Sequence, residues 1–297
     1  MREVRKRGIP LLVLLNKVDI VKPSPEIRQK LQKEGVPFVE TCAVGNGGEV
    51  AAKIKQAMLG LLPEDFVNPP PIISDIVKPG DLVTFVMPID LEAPKGRLKL
   101  PPQQTMRELL DQREPMCLVV NEKTLKKGLE TSSVKPRLVV TDTCVLKEVV
   151  DQVPPEIPVT SFSILLAKAK GDLREFVEGI KVLDRLKPGD KVLIAEACTH
   201  HPIGDDMARV RIPRLINQKV GGPVQFDVYS GHDFPENLEE YKLVIHCGAC
   251  MINRRELLSR ILKCREKGVP ITNYSMVVAY LHGCLDRVLQ PLRQQLD

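Results

Sequence analysis

Residues 242–250 read KLVIHCGAC: a short apolar run ending in a histidine, then two cysteines separated by Gly248 and Ala249. An uninterrupted Leu-Val-Ile run of this length is what a strand buried in a parallel sheet looks like. The cysteines then leave its carboxyl end. Nearly fifty residues upstream, KVLIAEACTH (191–200) repeats the arrangement, with a strand running into Cys198 and His200. In an open parallel sheet the loops leaving the carboxyl ends of strands converge on one crevice. The reading therefore brings Cys198, His200, His246, Cys247 and Cys250 together. His232, just past the strand VQFDVYS (224–230), faces the same edge.

The runs around these two set the fold class. DLVTFVMPI (81–89), CLVVN (117–121), RLVVT (137–141) and IPVTSFS (157–163) read as strands. QTMRELLDQ (104–112), KTLKKGLE (123–130) and CVLKEVVDQ (144–152) read as helices. Such alternation is the signature of βαβ units around a parallel sheet. The segment 171–190 places Leu173, Phe176, Val177, Ile180, Leu183 and Leu186 at helical spacing, and Pro-Gly-Asp at 188–190 stops it. Further helices are expected over 213–220, 253–267 and 275–289, with Pro213 suited to a first turn. Towards the start, IPLLVLL (9–15) and PFVETCAV (37–44) read as strands, with helices over 24–34 and 49–61. The proline-dense PEDFVNPPP (63–71) marks a boundary. The chain is thus α/β, with units expected over 1–68, 69–170 and 171–297 and mainly parallel sheets in the last two.

A chain of 297 residues, 43% hydrophobic and 27% charged, is long enough for about two to three domains with real cores. It has no tryptophan and few aromatics, so those cores are Val, Leu and Ile. The net charge of +5 is scattered, with no basic patch interleaved with aromatics, so no nucleic-acid partner is expected. No stretch is long and apolar enough for a membrane span. The first residues put basic side chains before IPLLVLL, but that run passes directly into Asn16 without a small-residue cleavage site. Eight cysteines without a secretion signal point to a reducing compartment, the cytoplasm, where thiols serve packing or metals.

Three cysteines with one or two histidines suit either zinc or an iron–sulfur cluster. Structural zinc sites usually pair two C-x-x-C knuckles, and here there is one, opposite a lone Cys-x-His. That favours a cluster with a weak or exchangeable fourth ligand. A redox dithiol at a helix start fits Cys247 and Cys250 locally but leaves Cys198 and His200 unexplained. The other cysteines stand singly in apolar or helical contexts, where packing is the default.

Asn16, Lys17 and Asp19 form the pattern Asn-Lys-x-Asp directly after the first apolar run. It resembles the guanine-selecting loop of GTPases, in which the aspartate accepts two hydrogen bonds from the base and the lysine stem lies along it. Thr41, Cys42, Ala43 and Val44 resemble that family's last base-binding loop more loosely. The phosphate loop G-x-x-x-x-G-K-[ST] occurs nowhere in the chain, so the triphosphate has no backbone cradle and Mg²⁺ no hydroxyl ligand. Residues 1–68 therefore read as the second half of a P-loop-type GTPase domain with an incomplete GTP site; the alternative is an ordinary αβ fragment with a chance match.

Cys198-Thr199-His200, followed about fifty residues later by His246-Cys247-Gly248-Ala249-Cys250, resembles the motif of the HydF family of iron–iron hydrogenase maturation proteins. Residues 93–111, APKGRLKLPPQQTMRELLD, resemble that family's middle domain. The resemblance implies the order GTPase domain, dimerisation domain, and cluster-binding tetramerisation domain. It implies a 4Fe–4S cluster held by Cys198, Cys247 and Cys250, with His200 and His246 competing for the fourth place. The partners implied are a homodimer or homotetramer, the radical-SAM maturases HydE and HydG, and apo FeFe-hydrogenase. A scaffold of that kind receives or assembles a di-iron precursor and delivers it.

Overall fold

Side chains branched at Cβ fit a pleated surface packed on both faces, and the chain concentrates them in eight strands of two four-stranded sheets. The structure is a computed structural model describing residues 10–44, 47–62, 68–89, 98–112, 114–197 and 206–296. It divides into two compact units, Met1–Pro70 and Pro71–Asp297.

In the first unit, β1 (Val13–Leu15) pairs in parallel with β2 (Phe38–Glu40), Leu15 opposite Glu40. The apolar run at 9–15 is strand only where it has this neighbour. Helix α1 (Pro25–Lys33) starts where Ser24 Oγ accepts the Ile27 N–H at 3.3 Å and Pro25 fixes the first turn. Arg28 of α1 grips both carboxylate oxygens of Glu40, at 2.6 and 3.0 Å. Helix α2 (Gly47–Leu59) has no buried residue, and Met58 and Leu59 are exposed. Two strands rarely hold a fold alone, and here they bury little.

The second unit begins at Ile72–Ser74, whose three N–H groups converge on the Glu108 carboxylate at 2.9–3.0 Å. Its first sheet runs β4-β3-β5-β6, all parallel: β3 (Leu82–Val86), β4 (Met116–Val120), β5 (Leu138–Thr141) and β6 (Val159–Ser161). Helices α3 (Leu100–Leu110), α4 (Leu125–Thr131) and α5 (Leu146–Gln152) lie between the strands in sequence. The strand expected over 157–163 stops at Ser161. Its hydroxyl caps α6 (Phe162–Lys170), taking the Ile164 N–H at 3.1 Å and turning the chain into a helix the periodicity did not reveal. Helix α7 (Leu173–Ile180) follows, capped by Asp172.

The second sheet runs β10-β9-β7-β8, again all parallel: β7 (Lys191–Ala195), β8 (Gln225–Tyr229), β9 (Leu243–His246) and β10 (Ile271–Asn273). Helices α8 (Ile212–Val220), α9 (Arg254–Glu266), α10 (Tyr274–Leu281) and α11 (Leu285–Leu289) complete it. Strand β10 is three residues long and lay below the reach of a pattern search. The single helix expected over 275–289 is two, broken at His282–Cys284.

Segments 69–170 and 171–297 share one apolar core, running from Phe85 and Val139 through Leu165 to Ile194 and Ile245. Phe162 of α6 stacks on Phe85 of β3 with ring centroids 5.9 Å apart. Arg287 of α11 donates to the carbonyls of Val150, Val153 and Pro154 behind α5. Helix α7 lies so close to β10 that a Cβ on Gly179 would sit 2.0 Å from the Ile271 carbonyl oxygen. Backbone on both sides cannot give way cheaply, so Gly179→Ala should cost about 2 kcal/mol or more. In a unit of this size that lowers the thermal midpoint by roughly 4 °C or more, measurable by calorimetry.

Candidate functional site

From β7 the chain goes to β8 on one side, then crosses to β9 on the other, placing Ala195 opposite His246. That reversal is where loops part and an open α/β sheet takes ligands. The Cys247 N–H donates to the Ala195 carbonyl at 2.9 Å, and the Ala197 N–H donates to Cys247 Sγ at 3.0 Å. The sulfur is thus hydrogen-bonded by the residue before Cys198. Cys198 and His200 themselves lie outside the described residues. Among the described residues no three His, Cys, Asp or Glu side chains are grouped to hold a metal. Cys247 and Cys250 are half-buried and not in a disulfide. Burial pushes the Cys250 thiol up, opposed by the Lys170 charge and by the N–H groups of Cys250 and Met251. Two thiols with backbone N–H groups and a cation around them suit an anionic, sulfur-rich group.

His246 is wholly buried. Its Nδ1–H donates to the Cys247 carbonyl at 2.9 Å, and its Nε2 accepts from Arg260 Nη1 at 3.2 Å. Burial pushes its pKa down to about 4, so the ring is neutral. Both nitrogens are engaged within the protein, which leaves no lone pair for a metal in this arrangement. Arg260, also buried, donates through Nη2 to the Gly231 carbonyl at 2.6 Å and lies over the Phe234 ring at 5.2 Å. It thereby ties the loop that carries His232 to the end of β9.

Arg209 clasps both flanks of 198–205. It pairs with the buried Glu196 at 3.0 Å and with Asp206 at 3.4 Å. Ser230 donates to the same Glu196 carboxylate at 2.8 Å. None of Arg209, Arg260 or Lys170 was singled out in the sequence. Arg260 had a signal: a charge on the apolar stripe of α9 with Leu257, Ile261 and Cys264. Lys170 had none, because its partners lie about eighty residues away, and for Arg209 the pairing with Glu196 across 198–205 was not legible in the local pattern.

In the first unit, the loops leaving the carboxyl ends of β1 and β2 meet. Thr41 Oγ1 donates to Asn16 Oδ1 at 3.2 Å, and the Val18 N–H donates to the Thr41 carbonyl at 3.3 Å. The Cys42 thiol donates to the Val44 carbonyl at 3.0 Å, and the Asp19 carboxylate beside it raises its pKa. Lys17 takes a left-handed φ of 65°. The structure therefore brings Asn16 against Thr41 and Asp19 against Cys42, in the two loops that also carry Lys17 and Ala43.

Two family models match the chain: the hydrogen maturase F dimerization domain over residues 72–171, and the hydrogen maturase F tetramerization domain over 174–291. The chain belongs to the HydF family. It thus carries the oligomerisation domains of a hydrogenase maturation protein, and the candidate metal centre lies in the HydF tetramerization domain. No curated protein matches it in a sequence comparison. No described helix is long and apolar enough to cross a membrane.

Arg260 is the structural keystone of this HydF site. Replacing it with alanine leaves His246 Nε2 and the Gly231 carbonyl without their donor, at about 1–3 kcal/mol for each buried group. Arg260→Ala should therefore lower the urea midpoint of the second unit strongly. The double variant with His246→Leu should lose less than the sum of the two single changes.

Proposed function

We propose that this HydF chain is a scaffold that binds one 4Fe–4S cluster through Cys198, Cys247 and Cys250, receives or assembles a di-iron precursor, and delivers it to apo FeFe-hydrogenase. The observation that carries the reading is the Ala197 N–H donated to Cys247 Sγ at the switch point between β7 and β9. It brings the strand end that leads to Cys198 up to the Cys-x-x-Cys loop. With both His246 nitrogens engaged, His200 is the histidine left for the fourth position. A neutral imidazole is a weaker donor to iron than a thiolate. When bound, the cluster supplies an iron with an exchangeable ligand, to which the di-iron cargo can attach. The radical-SAM maturases HydE and HydG are the partners this role calls for.

Self-association fits the same role. Strand β4 is the edge of its sheet and exposes Met116, Cys117 and Val119. An uncovered apolar edge strand is a template for pairing, and a second copy of the dimerisation domain is its occupant in this reading.

Reconstitution with iron and sulfide under anaerobic conditions tests the cluster. Wild type should turn brown, and Cys→Ser at 198, 247 or 250 should each abolish the colour. His200→Ala should keep the cluster with an altered spectrum. A colourless chain holding zinc would overturn the reading in favour of a structural zinc site.

The loops around Asn16, Lys17 and Asp19 suit a guanine base, but base contacts leave the triphosphate without an amide cradle or Mg²⁺ ligand. We expect this 297-residue chain to show no GTP turnover above a contaminant control in a phosphate-release assay.

A further inference from the structure

The last residue of α6, Lys170, belongs to the dimerization domain match, yet its ammonium lies in the Cys-x-x-Cys loop of the tetramerization domain. Its Nζ donates to the carbonyls of Ala249 at 3.0 Å, Cys250 at 3.3 Å and Ile252 at 3.0 Å. An ammonium has three N–H donors and no acceptor, so this loop takes all three. The embrace is mutual: Arg254, which follows the loop on α9, donates to the Ala169 and Gly171 carbonyls at 3.2 Å each. At the other end of α6, Ser163 lies against Gly248, where a Cβ would meet its Oγ at 3.1 Å.

The peptide plane gives these contacts a consequence. In a trans peptide the C=O and N–H point in opposite directions, and the described chain has no cis bond. The peptides whose carbonyls face Lys170, 249–250 and 250–251, therefore direct their N–H groups away from it. Those N–H groups, of Cys250 and Met251, are on the side of the loop away from the ammonium, and both oppose the upward push of burial on the Cys250 thiol. Ala249, which precedes them, is wholly buried and holds a left-handed φ of 55°. A side chain rarely adopts that conformation unless its surroundings impose it.

We propose that Lys170 is a positioning residue of the metal centre: by gathering the carbonyls of Ala249, Cys250 and Ile252 it fixes the backbone of the Cys-x-x-Cys loop and holds a positive charge against it. The dimerisation domain thereby supplies part of a site that the motif assigns wholly to the tetramerisation domain. Hydrogen bonds to sulfur and net charge both set the potential of an iron–sulfur cluster. A cation nearby favours the reduced, more negative state.

The inference rests on the cluster reading above, and the full chain tests the two separately. Wild type, Lys170→Gln and Lys170→Arg are reconstituted, and their iron content and midpoint potentials are measured. Lys170→Gln removes the charge but keeps two N–H donors. We expect its reduced cluster to be destabilised about tenfold, 59 mV more negative for one electron. Lys170→Arg should stay near wild type. In the metal-free chain, hydrogen exchange at the amides of Cys250 and Met251 should quicken at least tenfold in Lys170→Met. An unchanged potential in Lys170→Gln overturns the proposal. If wild type takes up no cluster, the reading of the previous subsection falls, and the exchange rates decide this one: unchanged rates overturn it and quickened rates uphold it.

Discussion

The parallel pairing of β7 with β9, Ala195 beside His246, is the constraint on which the second unit turns. Two strands nearly fifty residues apart in sequence become neighbours because the chain crosses from β8 back over β7. That crossing parts the loops at the carboxyl ends and leaves Ala197 able to bond Cys247 Sγ. The pairing itself needs only a buried aliphatic ladder: Val192, Leu193 and Ile194 against Leu243, Val244 and Ile245. Chemistry at the strand ends is positioned by a core that has no chemistry of its own.

Around that core, charged side chains do the orienting. Arg260 beneath the sheet edge, Arg209 across the flanks of 198–205 and Lys170 from α6 each satisfy several acceptors at once. A buried cation costs desolvation that only multiple hydrogen bonds offset. Removing Arg260, the fully buried one, would leave its acceptors without a donor in poorly hydrated surroundings, and all three, by holding several acceptors at once, favour one arrangement of the loops.

Most of the second unit was legible in the sequence, because short aliphatic runs alternating with amphipathic segments leave few architectures open. What escaped did so for definite reasons. Helix α6 was hidden because six of its nine residues, Phe162, Ile164, Leu165, Leu166, Ala167 and Ala169, are buried, too many for an amphipathic stripe to show. Strand β10 is three residues long. The Cys-x-x-Cys loop stood out, yet the part His246 plays did not: a histidine beside a cysteine motif reads as a ligand until its two partners, Cys247 O and Arg260, are seen. The loops of the first unit were legible as a pair, since Asn-Lys-x-Asp and the Thr41–Ala43 stretch each follow an apolar run.

The contact of Gly179 with Ile271 bears on how the chain is made. A ribosome delivers residues in order, at roughly 5–20 per second. Helix α7 is finished about ninety residues before the strand it must press against exists. For several seconds its apolar side, with Phe176 and Ile180, has no final partner. The newborn unit cannot close from its amino end forward, and its last assembly step waits for β10 to leave the exit tunnel.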